Sequence, residues 1–348
     1  MSAADNLEWV PHNFCAASCV KAAVITLLLG ILGAILLRKS LLGRQGRDRV
    51  DNVSTGMPVL GCASCDIAEA NGVKLQKCVS CDLANYCSDA CQEDHRLQHE
   101  AKCKERAAEL RDEILFKQPE GRHLGDCPIC FLPHPIDHNK SSFYSCCSVV
   151  VCDGCIHADD TRQVKEDKMQ VPRCPFCRHP KPTTKDGFMH LLMKRVEAND
   201  PSAMSQMGSK YYYKGDYDIA LKYWTKAAEL GNAFAHNTLS VMYQGKWKGV
   251  EKDEEKEMYH LEQAAIRGHP DARFRLGRYD GRKGLIDRAV KHWTIAANLG
   301  CDDAIELLKK CYVEKVISKD DFAAALRAHH AAVDATKSPH RKAAEAEI

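Results

Sequence analysis

Hydrophobic positions along the chain follow three different patterns. Residues 20 to 37, from Val20 to Leu37, form the only long apolar run. As a helix, eighteen residues rising about 1.5 Å each span roughly 27 Å, enough for a hydrocarbon core. Lys21, near its start, can snorkel to an interface. Little positive charge precedes the run, while Arg38, Lys39, Arg44, Arg47 and Arg49 follow it. The expectation is a transmembrane helix over 20–38, a short lumenal or external segment over 1–19, and everything later in the cytosol. A cleaved signal peptide would want basic residues before the run and small ones after it, and neither is present. A start at Met57 would remove the run and leave a soluble cytosolic or nuclear protein. Residues 39–61, rich in Gly, Arg, Asp and Ser, are a linker. The second pattern is a charged helix from Glu100 to Lys117, with Ala107, Leu110, Ile114 and Leu115 on one side; residues 104–120 serve as a connecting helix.

The third pattern is a repeat from about residue 196. Ala227-Ala-Glu-Leu-Gly231, Ala264-Ala-Ile-Arg-Gly268 and Ala296-Ala-Asn-Leu-Gly300 recur at 37 and then 32 residues. Upstream, Ala203, Ala235, Ala272 and Ala304 recur in step, each four residues before Met207, Leu239, Leu276 or Leu308. Such periods signal stacked helical hairpins. Small residues allow close helix approach, Trp224, Tyr259 and Trp293 are expected to fill the space between layers, and Gly231, Gly268 and Gly300 cap the second helices. Residues 246 to 253 are expected as a loop within one hairpin. A capping helix begins near Asp320, and residues 336–348 lack a core-forming pattern and are expected as a disordered tail.

Composition changes this picture in one respect. The net charge of +2 over 348 residues exerts no global pull on nucleic acid, but fifteen of the nineteen cysteines fall between Cys62 and Cys177. Clustered, paired cysteines indicate metal sites rather than dispersed disulfides. The first cluster runs Cys62-x2-Cys65, Cys78-x2-Cys81, Cys87-x3-Cys91 and His99-x3-Cys103. Thiolates two residues apart grip one tetrahedral Zn2+ from a tight turn. A segment of some forty residues has too little apolar content to fold alone, so metal must supply folding free energy. The alternative, a disulfide knot, conflicts with the His at a ligand position and with a cytosolic setting.

The order Cys-Cys, Cys-Cys, Tyr-Cys-Ser, Cys-Gln, His, Cys over 62–103 resembles a MYND-type zinc finger. The resemblance implies interleaved sites, Cys62, Cys65, Cys87 and Cys91 for one ion and Cys78, Cys81, His99 and Cys103 for the other. Arg96 stands where such fingers usually carry Trp, which bears on the peptide-binding face but not on the metal.

The second cluster, over 127–178, contains Cys127-Pro-Ile-Cys130, Cys146-Cys147, Cys152-x2-Cys155 and Cys174-Pro-Phe-Cys177. It resembles a RING-type zinc finger of degenerate pattern. The resemblance implies one ion on Cys127, Cys130, Cys152 and Cys155, and three ligands of another from Cys147, Cys174 and Cys177. Val149 occupies the usual His position; Cys146 is the nearest substitute and His157 a further one. Three or four zinc ions per chain follow. RING domains position a ubiquitin-loaded E2 ubiquitin-conjugating enzyme without reacting themselves. The resemblance implies that Ile129 and Pro175 contribute to the conjugating-enzyme groove and that Arg178 bridges both partners.

The repeats over 196–335 resemble Sel1-like repeats, relatives of tetratricopeptide repeats, whose concave surfaces hold proteins or peptides. No phosphate loop, nucleophile elbow or carboxylate pair occurs, so no residue is assigned as catalytic. Near the cysteines acidic and basic residues balance, which argues against nucleic acid as a partner. The fold class expected is multidomain: zinc-stabilised MYND and RING-like modules, then an all-α Sel1-like solenoid. The functions weighed are a membrane-anchored adaptor with E3 ubiquitin-protein ligase output and a non-catalytic scaffold of the same parts.

Overall fold

The structure is a computed structural model that describes residues 61–69, 73–166, 171–247 and 249–346. The apolar run at 20–37, the linker before residue 61, Met57, Cys15 and Cys19 lie outside the described residues. Among those described, no helix is long and apolar enough to cross a membrane. The chain divides into two compact units, with the boundary between Lys117 and Gln118.

The first unit is the cysteine finger with a long helix. Strands β1 (Gln76–Lys77) and β2 (Asn85–Tyr86) pair antiparallel, Gln76 opposite Tyr86 and Lys77 opposite Asn85. Helix α1 spans Asp89–Leu115, and its N-cap Ser88 accepts a hydrogen bond from the backbone N–H of Cys91. The charged helix expected from residue 100 therefore begins eleven residues earlier. The reason is the finger itself: Cys91, His99 and Cys103 lie at helical spacing on α1, so ligation continues into the helix. The core of this unit is small: Cys62, Cys78, Cys81, Ala84 and Tyr86.

The second unit opens with the other cysteine module. Strands β3 (Ser141–Tyr144) and β4 (Val149–Cys152) form a hairpin, with Ser141 opposite Cys152 and Tyr144 opposite Val149. Helix α2 (Asp153–Glu166) follows directly. Next come α3 (Lys185–Glu197) and the hairpins α4 (Pro201–Tyr213) with α5 (Tyr217–Glu229), α6 (Ala233–Met242) with α7 (Glu254–Ile266), and α8 (Pro270–Arg282) with α9 (Ile286–Asn298). Helices α10 (Asp302–Val313) and α11 (Lys319–Asp334) finish the array, the latter opened by a capping box between Ser318 and Asp321. The 246–253 segment does fall within a hairpin, between α6 and α7.

Packing follows the repeat register. Ala203, Ala235 and Ala272 are fully buried, and Gly231, Gly268 and Gly300 end their helices at φ of 85°, 80° and 85°, a conformation costly for residues with a Cβ. Trp224 and Trp293 are 2% and 1% exposed, but Tyr259 is 56% exposed. The expectation for Tyr259 fails because the inner position lies three residues before each Ala-Ala pair. In the middle repeat that position is Leu261, which is buried. The facing position covaries in size: Gly208 lies against Trp224 and Gly277 against Trp293, while Ser240 occupies the same place in the middle repeat.

The tail is also corrected. Pro339–Ala346 forms a helix, α12, that packs against α2. Its Arg341 and Ala344 are buried, which a pattern search for long apolar stripes does not detect.

The cysteine module is built onto the repeats. The backbone N–H of His123 donates to the Gly268 carbonyl at 3.1 Å, and its ring stacks on His269 at 4.2 Å. Arg195 donates from Nε to Ser148 Oγ at 3.2 Å, and Asn298 donates to Gln118 Oε1 at 3.0 Å. Helical hairpins thus fix the orientation of the module that precedes them.

A Cβ at Gly277 would lie 2.5 Å from Trp293 Nε1, whereas one at Gly281 would meet the same ring at an ordinary 3.5 Å. Gly277→Ala should therefore destabilise the array by about 1–3 kcal/mol, and Trp293→Ala by about 3–5 kcal/mol. Gly281→Ala should be neutral or stabilising by up to about 1 kcal/mol, as alanine is the better helix former. Urea unfolding followed by helical circular dichroism measures all three.

Candidate metal centres

In the first unit the chain delivers ligands from two knuckles, one strand end and one helix. Cys62, Cys65, Cys87 and Cys91 form one group, and Cys78, Cys81, His99 and Cys103 another, with all four donor atoms of each group within 4.8 Å of one another. Cys87 Sγ lies 3.5 Å from both Cys65 Sγ and Cys91 Sγ. Cys78 Sγ lies 3.7 Å from Cys103 Sγ, and Cys81 Sγ 3.1 Å from His99 Nε2. A Zn–S bond of about 2.3 Å gives a tetrahedral edge of about 3.8 Å, so the donor sets fit zinc. A disulfide needs sulfurs about 2.05 Å apart, and every cysteine described is free. The groups interleave along the chain, so an ion held by one would tie together the ends of the other's loop. Buried Tyr86 bonds His95 Nδ1 through its hydroxyl at 3.1 Å, and His95 stacks on His99 at 5.6 Å. That chain of contacts orients a ligand ring.

A cleft of about 420 Å3 lies over the second of these groups, lined among others by Tyr86, Glu93, Arg96, Glu100 and Lys104. Arg96 is exposed and pairs with Glu93 at 3.3 Å. The cleft wall that a Trp would make apolar is charged here.

The second module repeats the arrangement. Cys127, Cys130, Cys152 and Cys155 come together, as do Cys146, Cys147, Cys174 and Cys177. Sulfur distances are 3.8 Å for Cys127–Cys155, Cys130–Cys152, Cys146–Cys147 and Cys147–Cys174, and 3.4 Å for Cys146–Cys177. These again match tetrahedral edges. Of the two substitutes for the missing His, the structure brings Cys146 to the cluster and not His157. Adjacent cysteines reach one centre because the β3–β4 turn is tight: the N–H groups of Cys147 and Ser148 both donate to the Tyr144 carbonyl, and Ser148 has φ of 58°.

That left-handed residue is one of a set. Asp66, Asp82, Phe131, Ser148 and Arg178 each directly follow a ligand cysteine and have φ between 55° and 63°. In each turn this residue's N–H closes back on the carbonyl four residues earlier, as Phe131 does on Cys127 and Arg178 on Cys174. The turn aims backbone N–H groups at sulfur, where they favour the thiolate.

The thiols show it. Burial pushes Cys62 up, but backbone N–H groups of Cys65, Cys87 and Ser64 outweigh burial and bring it down to about 6. Cys127 is held down to about 3, first by a hydrogen bond from Cys152, against burial, and then by backbone N–H groups of Cys152, Cys130 and Ile129. Its neighbour Cys152 is pushed up, by Cys127 foremost and then by burial. Burial, then Cys177, pushes Cys146 up as well. Four thiols this close cannot all ionise by themselves; a divalent cation displaces the remaining protons.

The residues of the expected conjugating-enzyme face are placed unevenly. Ile129 is half-buried and Pro175 is buried. Arg178 is tied to Asp159 on α2 at 2.8 Å, and Asp159, 9% exposed, also accepts from Arg162 and Gln163. Two exposed rings, Phe131 and Phe176 at 77% and 47%, were missed in the sequence. Their place beside ligand cysteines in zinc turns was the available signal.

Replacing one ligand should remove one ion and leave the rest. Cys146→Ala should lower zinc content by one ion per chain, whereas His157→Ala should leave it unchanged, as read by elemental analysis of the full chain.

Residues 62–103 match the MYND finger family model, and residues 201–232, 233–269 and 270–301 each match the Sel1 repeat model. Chitin synthase regulatory factor 4 of Schizosaccharomyces pombe is 29% identical over 113 residues, which cover 31% of this chain and 18% of that protein. The chain thus spans under a fifth of that relative's length. Among solved structures, a Sel1 repeat protein from Oxalobacter formigenes shares 30% identity, with 35% of this chain and 97% of that one covered and a TM-score of 0.32. A protective antigen of uropathogenic Escherichia coli strains displaying an SLR fold shares 17% identity, covering 49% and 46%, with a TM-score of 0.28. The chain therefore carries a MYND finger at residues 62–103 followed by an all-helical array of Sel1 repeats.

Proposed function

We propose that this protein is a membrane-anchored zinc adaptor in which the Sel1 repeats select a partner and a RING-like module at 127–178 recruits an E2 ubiquitin-conjugating enzyme, giving E3 ubiquitin-protein ligase output. MYND fingers and Sel1 repeats are protein-interaction modules, which supports proteins or peptides as the partners. The observation that carries the finer reading is the packing of the RING-like module onto the repeats: Ile136 lies against Gly300, and His138 meets the His123 ring that stacks on His269. A protein held by the repeats is then presented at a fixed place relative to the module, which is what catalysis by positioning requires. The four-cysteine group containing Cys146 would hold the second ion of such a module. A likeness to a chitin synthase regulatory factor supports control of another protein over turnover of a small molecule.

One observation favours a second reading, a scaffold without ligase output. Arg178 is bound to Asp159 and Pro175 is buried, so two of three expected contacts are engaged within the module. The two readings separate in a ubiquitin-chain assay with a panel of conjugating enzymes. The ligase reading expects chains with at least one enzyme and their loss in Ile129→Ala. Absence of chains with every enzyme leaves the scaffold.

The anchor is proposed from residues 20–37 and the basic residues after them. Alkaline extraction of membranes from expressing cells should leave the full chain in the pellet; recovery in the soluble fraction would exclude a spanning segment.

A further inference from the structure

The chain returns to its second cysteine module some 160 residues after the last ligand, and it does so with a buried cation. Helix α12 carries Arg341, which is 6% exposed. Its guanidinium donates to the carbonyls of Pro133 at 2.6 Å, Thr336 at 2.5 Å and Leu132 at 3.3 Å, and to the sulfur of Cys130 at 3.4 Å. The helix backbone rests on Gly154, between the ligands Cys152 and Cys155: a Cβ there would fall 2.7 Å from the nitrogen and 2.8 Å from the Cα of Arg341. Glu345 pairs with Lys140 at 2.7 Å.

This cluster is the one that most needs such a neighbour. Four thiolates around Zn2+ leave a net charge of about −2, formally. Water screens that charge where ligands are exposed, as at Cys65 and Cys177. Here Cys127, Cys152 and Cys155 are buried, and the desolvated charge must be met from within the protein. An arginine is suited to the task, because its fork can bond three carbonyls and a sulfur at once and it stays charged when buried.

We infer that Arg341 is a positioning residue for the metal site of Cys127, Cys130, Cys152 and Cys155, and that α12 is a strap holding the ion in place. The guanidinium compensates the thiolate charge and fixes Cys130, while the close approach to Gly154 keeps the helix over the ligand turn. Helix α12 is then a working part of a module far from it in sequence. The inference rests on the reading that this cluster holds zinc.

The test is zinc release from the full chain to the chelating dye 4-(2-pyridylazo)resorcinol. Cys127→Ala marks the ion in question by its absence. In Arg341→Met, and in a chain ending at Ser338, that ion should leave about 10–100-fold faster than in the wild type, with the remaining ions unaffected. Arg341→Lys, which keeps the charge and an N–H donor, should recover part of the retention. If Cys127→Ala releases as many ions as the wild type, the zinc reading of this cluster fails. Wild-type release rates in Arg341→Met overturn the inference while leaving that reading intact. So does faster release only on truncation, or release from Arg341→Lys as fast as from Arg341→Met, because either would make the helix simple packing.

Discussion

Sulfur atoms gathered at tetrahedral-edge distances are the constraint on which the first half of the described chain depends. Fifteen cysteines and one histidine form four groups of four, and each group brings together segments separated along the chain. In the first unit the buried core is largely the ligands themselves with Ala84 and Tyr86. Thiols so placed repel as thiolates and compete for protons, so the arrangement is at rest only around cations. The left-handed residues after five of the cysteines follow from the same demand, since the turn that clasps an ion also points N–H groups at sulfur.

The repeat half depends on a different economy of space. Alanine and glycine at set positions let helices approach, and two tryptophans fill what remains. Because Gly208 and Gly277 face Trp224 and Trp293, the repeats are matched pairs of small and large residues rather than a generic apolar core. The two kinds of order meet within the second unit. There the second cysteine module packs on the repeat helices, and α12 packs against its helix α2.

Much of this was legible in the sequence because it is written in spacing. Cysteine pairs marked the metal clusters, the resemblances implied three complete ligand groups and three ligands of the fourth, and the Ala-Ala-x-x-Gly period gave the hairpins and their caps. What escaped was written in three dimensions. Tyr259 looked like an interlayer aromatic, but its place two residues before Leu261 turns it outward. Helix α1 starts at Asp89 rather than near residue 100, because the ligand spacing from Cys91 to Cys103 is also helical spacing. Arg341 lies in a short charged segment with no apolar stripe, and its partners, Cys130 and Gly154, are close only in the fold. The choice of Cys146 over His157 needed the geometry of the β3–β4 turn.

Native mass spectrometry of the full chain, purified under reducing conditions with zinc supplied, tests the central claim most directly. The account predicts four zinc ions per chain, lost together with the folded cysteine modules on chelation while the repeat helices persist. Two or three ions on a chain with all of its thiols reduced would contradict it.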